Sequence, residues 1–402
     1  MTATKKLALA GLMLALALLA CTLPDVGPAS VPSLTPKSID PNLIPQSTET
    51  PVEQSAVTPE GDLPHAVYYL SDVTENSFQV WRRETFNNIS YQITYESSDI
   101  LDYTVSPVDG SVAYLIGNQL YWVDANGEKR QLLVEGGPEE NSDEFRYRRK
   151  LSSPRFSPDG STLAFAQDGI NLYTFSTGEI RNVMANTVKQ ADEGPIVPSN
   201  IYSPEMWTAA PNRLLVNVGF FEGGTLTMLD LNSGEVTRLG EGIVCCHPAI
   251  SVDGKSVYVG SPILGMIESG LWRYDVASGA GSVLIPSQSG DETYNFVGWP
   301  VQLPTGELQY FYNNLPAFPT GEVPLTLVRS AADGVSDRVQ LRPDLLQIRE
   351  VLWAEDGSLA LVVQVPLGET STTQAGTVVL LTLDSNPIRP IIANAYNLQW
   401  GP

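Results

Sequence analysis

The side chains best suited to bind an anion lie close together in one stretch of this chain. Four of its 23 basic residues occur within five positions, as Arg146, Arg148, Arg149 and Lys150, with Tyr147 between them. Guanidinium groups beside a tyrosine suit a carboxylate, a phosphate or an acidic glycan. The preceding stretch from Glu139 to Glu144 is acidic, so the alternative is a solvated loop whose two halves neutralise each other.

A second group with reactive side chains is Cys245-Cys246-His247. In an extended chain Cys245 and His247 point to one side and Cys246 to the other, which makes a shared metal site awkward. The Cα atoms of adjacent cysteines lie about 3.8 Å apart, so a vicinal disulfide would be strained and easily reduced. Three roles therefore remain as alternatives for the cysteines: thiols that pack in the core, a vicinal disulfide, or ligands of a metal. His247 is a candidate binding residue.

Large aromatic residues recur near the predicted first strands of the repeats described below. They are Tyr202, Trp207, Tyr294, Trp299 and Trp353. Packing in the core explains such residues, and the alternative is a platform on which sugar rings stack. Trp207 and Trp299 are therefore further candidate binding residues.

Sequence motifs of common catalytic sites do not occur in the chain. It has no Gly-x-Ser-x-Gly nucleophile elbow, no Gly-x-Gly-x-x-Gly dinucleotide fingerprint and no phosphate-binding loop. Its Asp-x-Asn-x-Gly turns lack the spacing and the distal glutamate of a calcium loop. These patterns predict no catalytic residue, no metal and no cofactor.

The elements that must position these residues come from a repeat. An Asp-Gly signature occurs at Ser106–Gly110, Ser157–Gly160, Ser251–Gly254 and Ala354–Gly357, with degenerate copies at Ala210–Asn212 and Pro304–Gly306. Each copy is followed by short runs of alternating or β-branched residues, which are typical of hairpins. The copies recur about every 49 residues, in the range of four-stranded propeller blades.

The two ends of the repeat array predict how it closes. Residues 66–96 contain three predicted strands without a preceding first strand, and Asn397–Trp400 has the pattern of a first strand alone. The predicted fold is therefore all-β, a seven-bladed β-propeller of four-stranded blades in which the C-terminal strand completes the N-terminal blade. Closure would remove the open sheet edges that promote aggregation.

The run Pro154–Gly160, with Leu163-Ala164-Phe165 and Leu172-Tyr173 after it, resembles the repeat of TolB-type β-propellers. It is also similar to the propeller repeat of prolyl-oligopeptidase-like enzymes and, distantly, to WD repeats. The resemblance covers residues 100–400 and implies the fold, since one scaffold hosts many unrelated sites. In place of the α/β domain of TolB this chain has a predicted tether, and no sequence is left for a peptidase's α/β-hydrolase domain.

The predicted connections differ in length between the two faces of such a propeller. The first–second and third–fourth turns are tight, whereas long stretches such as 134–153 and 184–203 connect blades, and others lie inside blades. Long loops are often functional, so the long-connection face around the channel mouth is the predicted binding surface. Neutral insertions are the alternative.

The composition limits the partners. The net charge of −22 argues against nucleic acid and bare anionic lipid as the main ligands, because both would repel the chain. The expected role is a non-catalytic module that binds or organises an envelope protein or glycan, as a monomer. Alternatives are an enzyme at the channel mouth, such as a glycan lyase or hydrolase with carboxylates or His247 as acid/base, and a structural role in an envelope assembly.

The N-terminus predicts export and a lipid anchor. Lys5-Lys6, the apolar run Leu7–Ala20 and the ending Leu-Leu-Ala-Cys21 resemble a bacterial lipoprotein signal, which implies cleavage after residue 20 and lipidation (palmitate among the acyl chains) of Cys21. Residues 21–64 are predicted to be a disordered tether rich in Pro, Ser and Thr. The propeller is predicted over 65–402, held to the cell membrane, or to the outer membrane of a diderm cell.

Overall fold

The computed structural model describes a set of ranges within residues 63–402. These are 63–72, 77–86, 88–137, 149–190, 196–220, 223–241, 244, 246–265, 267–290, 292–316, 323–368, 374–383 and 387–402. They belong to the unit Thr58–Pro402. The leader 1–20, Cys21, most of the tether, residues 138–148 and Cys245 lie outside them. Within the described ranges, no helix combines the length and apolar character that crossing a membrane requires.

The described strands form antiparallel sheets that follow the predicted repeats. The first three are β1 (Val67–Ser71), β2 (Gln79–Arg83) and β3 (Ser90–Gln92). The next sheet contains β4 (Ile100–Val105), β5 (Val112–Ile116), β6 (Gln119–Val123) and β7 (Gln131–Glu135). A third contains β8 (Ser152–Phe156), β9 (Thr162–Ala166), β10 (Gly169–Thr174) and β11 (Glu179–Ala185).

The middle of the chain repeats this order with one added strand. One sheet contains β12 (Thr187–Gln190), β13 (Ile196–Trp207), β14 (Arg213–Phe220), β15 (Gly223–Asp230) and β16 (Val236–Leu239). The following sheet contains β17 (His247–Ile250), β18 (Ser256–Ser261), β19 (Gly270–Asp275) and β20 (Gly281–Ile285).

The remaining strands are connected by pairing into one longer group. They are β21 (Gln288–Ser289), β22 (Thr293–Gln302), β23 (Leu308–Pro316), β24 (Pro324–Ser330), β25 (Val339–Gln340), β26 (Leu346–Trp353), β27 (Leu359–Val365), β28 (Gly376–Thr382) and β29 (Arg389–Trp400). Two residue pairs between β24 and β26 join what were predicted to be separate blades.

The last strand pairs with strands from both ends of the chain. The first half of β29 pairs with β28, with Ile392 opposite Val378. Its second half pairs with β1, with Trp400 opposite Val67 and Ala395 opposite Ser71. The C-terminal strand therefore lies beside the N-terminal hairpin, which is the pairing that the unmatched strands at the two ends predict.

The Asp-Gly signatures form tight turns, as predicted. Gly160 has a φ of +66°, a left-handed conformation that glycine adopts without steric cost. The Asp159 carboxylate accepts hydrogen bonds from the hydroxyls of Ser157 (2.6 Å) and Ser161 (2.9 Å). These bonds lower the pKa of Asp159, because they stabilise its charged form.

The core lies between neighbouring sheets. Leu115 of β5 and Leu163 and Phe165 of β9 belong to one buried cluster, so the second and third sheets pack face to face. Another cluster joins Ile170 of β10 to Val216 of β14. Each sheet thus buries a face that it could not bury alone, and truncating a buried residue such as Phe165 to alanine would cost about 3–5 kcal/mol.

The prediction that residues 184–203 form a long loop is wrong. Most of this stretch forms β12 and the first part of β13, which pair from Gln190–Ile196 to Thr187–Asn200. Two prolines, Pro198 and Pro204, made this stretch read as a loop in the sequence, because proline is uncommon inside strands. The register of β13 against β14 shifts between Pro204 and Met206, and such irregular positions tolerate a residue without an N–H donor.

Candidate functional site

A chain of polar contacts connects five strands from four sheets, β4, β8, β13, β26 and β29. The Arg155 guanidinium on β8 donates to the Glu205 carbonyl on β13 (2.9 Å) and lies 3.5 Å from the Asp102 carboxylate on β4. Asp102 in turn accepts a hydrogen bond from the Asn397 amide on β29 (3.1 Å). The backbone N–H of Asn397 donates to the Glu350 carboxylate on β26 (2.6 Å). Charged side chains from distant parts of the sequence therefore meet along these five strands.

Glu350 has both carboxylate oxygens bound to backbone. One accepts the N–H of Asn397 and the other accepts the N–H of Leu398 at 2.5 Å. Asn397 has a φ of +53°, a left-handed conformation that turns consecutive N–H groups towards one acceptor. Burial raises the pKa of Glu350 to about 7, although the two N–H donors partly oppose this.

Glu350 and Asp102 line a cavity of about 740 Å³. Its lining residues are Leu101, Asp102, Leu115, Lys150, Leu151, Ser152, Arg349, Glu350, Gln374, Tyr396 and Asn397. Ser152 begins β8, Leu115 is near the end of β5, and Gln374 precedes β28. The cavity therefore opens where first and third strands begin and second strands end, which is the long-connection face.

Asn118 holds both ends of the connection that precedes this cavity. Its side-chain amide donates to the carbonyls of Gly137 (3.1 Å) and Arg149 (2.9 Å), and its side-chain oxygen accepts the N–H of Leu151 (2.7 Å). A Cβ atom at Gly136 would lie 2.4 Å from this amide nitrogen, so glycine is needed there. Asn118 thus positions Lys150 at the cavity.

The predicted basic cluster is only partly described. Arg146, Tyr147 and Arg148 lie outside the described residues. Arg149 and Lys150 are exposed, and Lys150 lines the cavity. Anion binding by the cluster as a whole stays a prediction.

Three tryptophans, Trp207, Trp353 and Trp400, donate hydrogen bonds to backbone carbonyls of other predicted blades. The Trp207 indole N–H donates to the Arg155 carbonyl (3.0 Å), that of Trp353 to the Trp299 carbonyl (3.0 Å), and that of Trp400 to the Trp353 carbonyl (2.7 Å). These bonds connect β13 to β8, β26 to β22 and β29 to β26, each time joining strands of successive predicted blades. Trp207 and Trp299 are half-buried, and sugar stacking on them stays a prediction.

His247 stacks on Trp299 with ring centroids 4.0 Å apart and an angle of 17° between the planes. Its Nδ1 atom is buried and has no hydrogen-bond partner among the described residues. Burial lowers its pKa to about 4. His247 does not line the cavity of Glu350 and Asp102, so the structure does not bring it together with these carboxylates.

Cys246 is disulfide-bonded. The two other cysteines of the chain, Cys21 and Cys245, lie outside the described residues, so the vicinal pairing stays a prediction. Among the described residues, no group of three or more His, Cys, Asp or Glu side chains could hold a metal ion.

The sequence patterns do not single out Asp102, Glu350, Asn397 or Asn118. Glu350 and Asn397 lie inside strands, and their contact joins residues 47 positions apart. No local signal marks either residue, because β26 also contains Gln347 and Arg349, and β29 also contains Asn394 and Gln399.

The chain was compared with known protein sequences and with solved structures. No protein-family model matches the chain. A segment of 118 residues is 30% identical to dipeptidyl peptidase 4 of Trichophyton tonsurans, and the match spans 27% of this chain but only 14% of that peptidase. The corresponding protein of Trichophyton verrucosum is 29% identical over 118 residues, again 14% of its length.

Several solved structures are similar over most of the chain. TolB from Acinetobacter baumannii is 14% identical, covering 85% of this chain and 68% of that one with a TM-score of 0.44. An oligogalacturonate lyase in complex with manganese is 13% identical, covering 83% and 86% with a TM-score of 0.52. A prolyl endopeptidase is 14% identical and has the same TM-score, but this chain covers only 48% of it.

The chain is similar to TolB-type proteins, as its repeat predicts. The lyase and the endopeptidase, with TM-scores above 0.5, support a propeller-like all-β fold. At these identities the similarity shows the fold alone, because the same scaffold carries unrelated sites.

Proposed function

We propose that this chain is a seven-bladed β-propeller closed by β29, carried on a tether from a lipidated Cys21 outside the cytoplasm, and that it binds an envelope protein without catalysis. The pairing of β29 with β1 supports the closure. The lipoprotein-like leader supports export and anchoring. Replacing Cys21 with alanine is expected to move the protein from the membrane fraction to the soluble one, and an unchanged distribution would contradict the anchor.

The observation that carries the binding proposal is the cavity at the long-connection face. Leu101, Leu115 and Leu151 give it an apolar lining, and both signs of charge are present in Lys150 and Asp102. Leu101 is 56% exposed. Leu115 and Leu151 are already buried. An apolar surface bordered by charges of both signs fits a segment of a folded partner, which would bury Leu101 and pair its own charges at the edge.

The bonding of Glu350 favours a structural role for this carboxylate. Both of its oxygens accept N–H groups of β29. A carboxylate held in this way fixes the end of the closing strand and thereby shapes the cavity that Asn397 and Tyr396 line.

Reversing one charge at the cavity tests the proposal. Lys150→Glu is compared with Lys255→Glu, since Lys255 is also an exposed lysine and lies in the Asp-Gly turn after Ile250 on the opposite face. After crosslinking in native membranes, we expect Lys150→Glu to lose the partner recovered with the unchanged protein and Lys255→Glu to keep it. Equal recovery with both variants would contradict the proposal, and recovery of a glycan in place of a protein would change the class of partner.

One observation favours an enzyme as the second candidate. Glu350 lines the cavity and has a pKa near 7, which suits a group that gives and takes a proton at neutral pH. The fold similarity to oligogalacturonate lyase makes an acidic oligosaccharide the first substrate to try, although the net charge of −22 opposes its approach. Turnover of oligogalacturonate that Glu350→Gln abolishes would establish this candidate over the binding module.

A further inference from the structure

A second cavity, of about 580 Å³, lies away from the long-connection face. Its lining residues are Arg82, Glu84, Phe86, Tyr91, Gln92, Ile93, Tyr95 and Asn126. All but Asn126 belong to β2, β3 and the residues that flank them, and Asn126 belongs to the turn between β6 and β7. The cavity therefore lies in the cleft between the N-terminal hairpin and the next sheet, on the side of the tight turns.

The charges at the base of this cleft are paired. One Arg82 nitrogen donates to the Ala125 carbonyl (2.7 Å), which attaches β2 to the neighbouring turn. Another lies 2.7 Å from the Glu84 carboxylate. Because this cation and anion neutralise each other, the base gives no net charge with which to select an ionic ligand.

The rim of the cleft carries exposed aromatic rings. Phe86 and Tyr95 are each 72% exposed, and Tyr91 is 44% exposed. Tyr91 lies opposite Arg82 in the pairing of β3 with β2, so both side chains are on the same face of these two strands. Exposed rings gathered around one cavity are unfavourable in water and usually mark a binding site.

We propose that this cleft binds a neutral oligosaccharide. The electron-rich faces of aromatic rings attract the C–H groups on the apolar face of a pyranose ring. The Asn126 amide and the Glu84 carboxylate are suited to hydroxyl groups, which both donate and accept hydrogen bonds. The paired base offers no site for an anionic sugar, and the net charge of −22 repels one.

The experiment measures binding of four immobilised tetrasaccharides to the full chain in detergent. The neutral probes are cellotetraose, maltotetraose and chitotetraose, and tetragalacturonate is the anionic one. We expect at least one neutral probe to bind and tetragalacturonate not to bind. Tyr95→Ala and Phe86→Ala should each weaken binding about tenfold, whereas Tyr95→Phe, which keeps the ring, should retain it.

Ile180→Ala is the matched control, since Ile180 is an exposed apolar residue on β11 of another sheet. It should leave binding unchanged. The proposal is overturned if no neutral probe binds at millimolar concentration, if tetragalacturonate binds as well as the neutral probes, or if binding survives both Tyr95→Ala and Phe86→Ala. Because these residues are remote from the Glu350 cavity, the outcome is independent of the partner proposed for that cavity.

Discussion

At the scale of single residues, two buried groups have pKa values shifted in opposite directions. The pKa of Glu350 is raised from 4.5 to about 7, and the pKa of His247 is lowered from 6.5 to about 4. Burial is the main cause of both, because it disfavours the charged form of either group. Glu350 was found only because the fold brings β26 and β29 together, whereas His247 was named from the sequence as a rare titratable residue.

These shifts predict how stability depends on pH. Folded Glu350 keeps its proton to higher pH than the unfolded chain, so its contribution to the free energy of unfolding falls between pH 4.5 and 7. Folded His247 takes up its proton only near pH 4, so its contribution rises between pH 4 and 6.5. Each effect amounts to about 3 kcal/mol, and they oppose each other between pH 4.5 and 6.5.

Two variants separate these contributions. In Glu350→Gln the free energy of unfolding should rise from pH 4.5 to 6.5, because the large downward shift of the His247 pKa then outweighs the smaller upward shift of the Glu205 pKa. In His247→Phe, which keeps a ring against Trp299, it should fall over the same range, helped by Glu205, whose pKa burial also raises. The turn aspartates with lowered pKa values titrate at lower pH. Urea denaturation at several pH values measures this, and slopes of the same sign in both variants would refute the assignment.

At the scale of elements, the signature turns do more than reverse the chain. A Cβ atom at Gly357 would lie 2.3 Å from the Leu303 side chain and 2.8 Å from that of Gln309. The Gln309 amide donates to the Gly357 carbonyl at 3.0 Å. The Tyr68 hydroxyl makes the same kind of bond to the Gly110 carbonyl (3.1 Å). Signature glycines thus contact the neighbouring sheet as well as forming turns.

Two glycines with the same backbone conformation separate these roles. Gly254 and Gly357 both have a φ of +69°, but a Cβ atom at Gly254 would meet nothing within 4 Å. Gly254→Ala should therefore cost only the strain of a left-handed residue, about 1–2 kcal/mol. Gly357→Ala should cost about 1–3 kcal/mol more, because the added methyl group overpacks the contact between sheets. Urea denaturation measures both, and equal losses would show that the turn alone matters.

Local patterns predict the elements better than the site. The strands predicted after the signatures that end at Gly110 and Gly357 are present as β5 and β27, because alternation and Asp-Gly turns are local signals. The cavity could not be derived in this way. Asp102 and Asn397 are 295 residues apart and meet only through the placement of β4 beside β29. Reliance on local patterns also explains why the β12–β13 hairpin was missed, because its prolines are typical of a loop.

At the scale of the whole molecule, the closing strand connects fold and site. Residues of β29 pair with β1, bind Glu350 through their N–H groups and line the cavity through Tyr396 and Asn397. The Tyr103 hydroxyl on β4 donates to the Asn397 carbonyl at 2.6 Å, which adds a contact to the next sheet. The proposed binding surface therefore depends on the C-terminal strand lying beside the N-terminal hairpin.

An engineered disulfide between these two strands tests that dependence most directly. Ser71 and Ala395 are small, buried and directly opposite each other in β1 and β29, within the range that a disulfide can bridge. In Ser71→Cys/Ala395→Cys, mild oxidation should join the peptides containing residues 71 and 395, as mass spectrometry after proteolysis would show. Ser71→Cys/Ala185→Cys, with its second cysteine on β11, should form no such bond. Failure of the first pair to crosslink in folded protein, or equal crosslinking by the second, would contradict the closed ring and the cavity built on it.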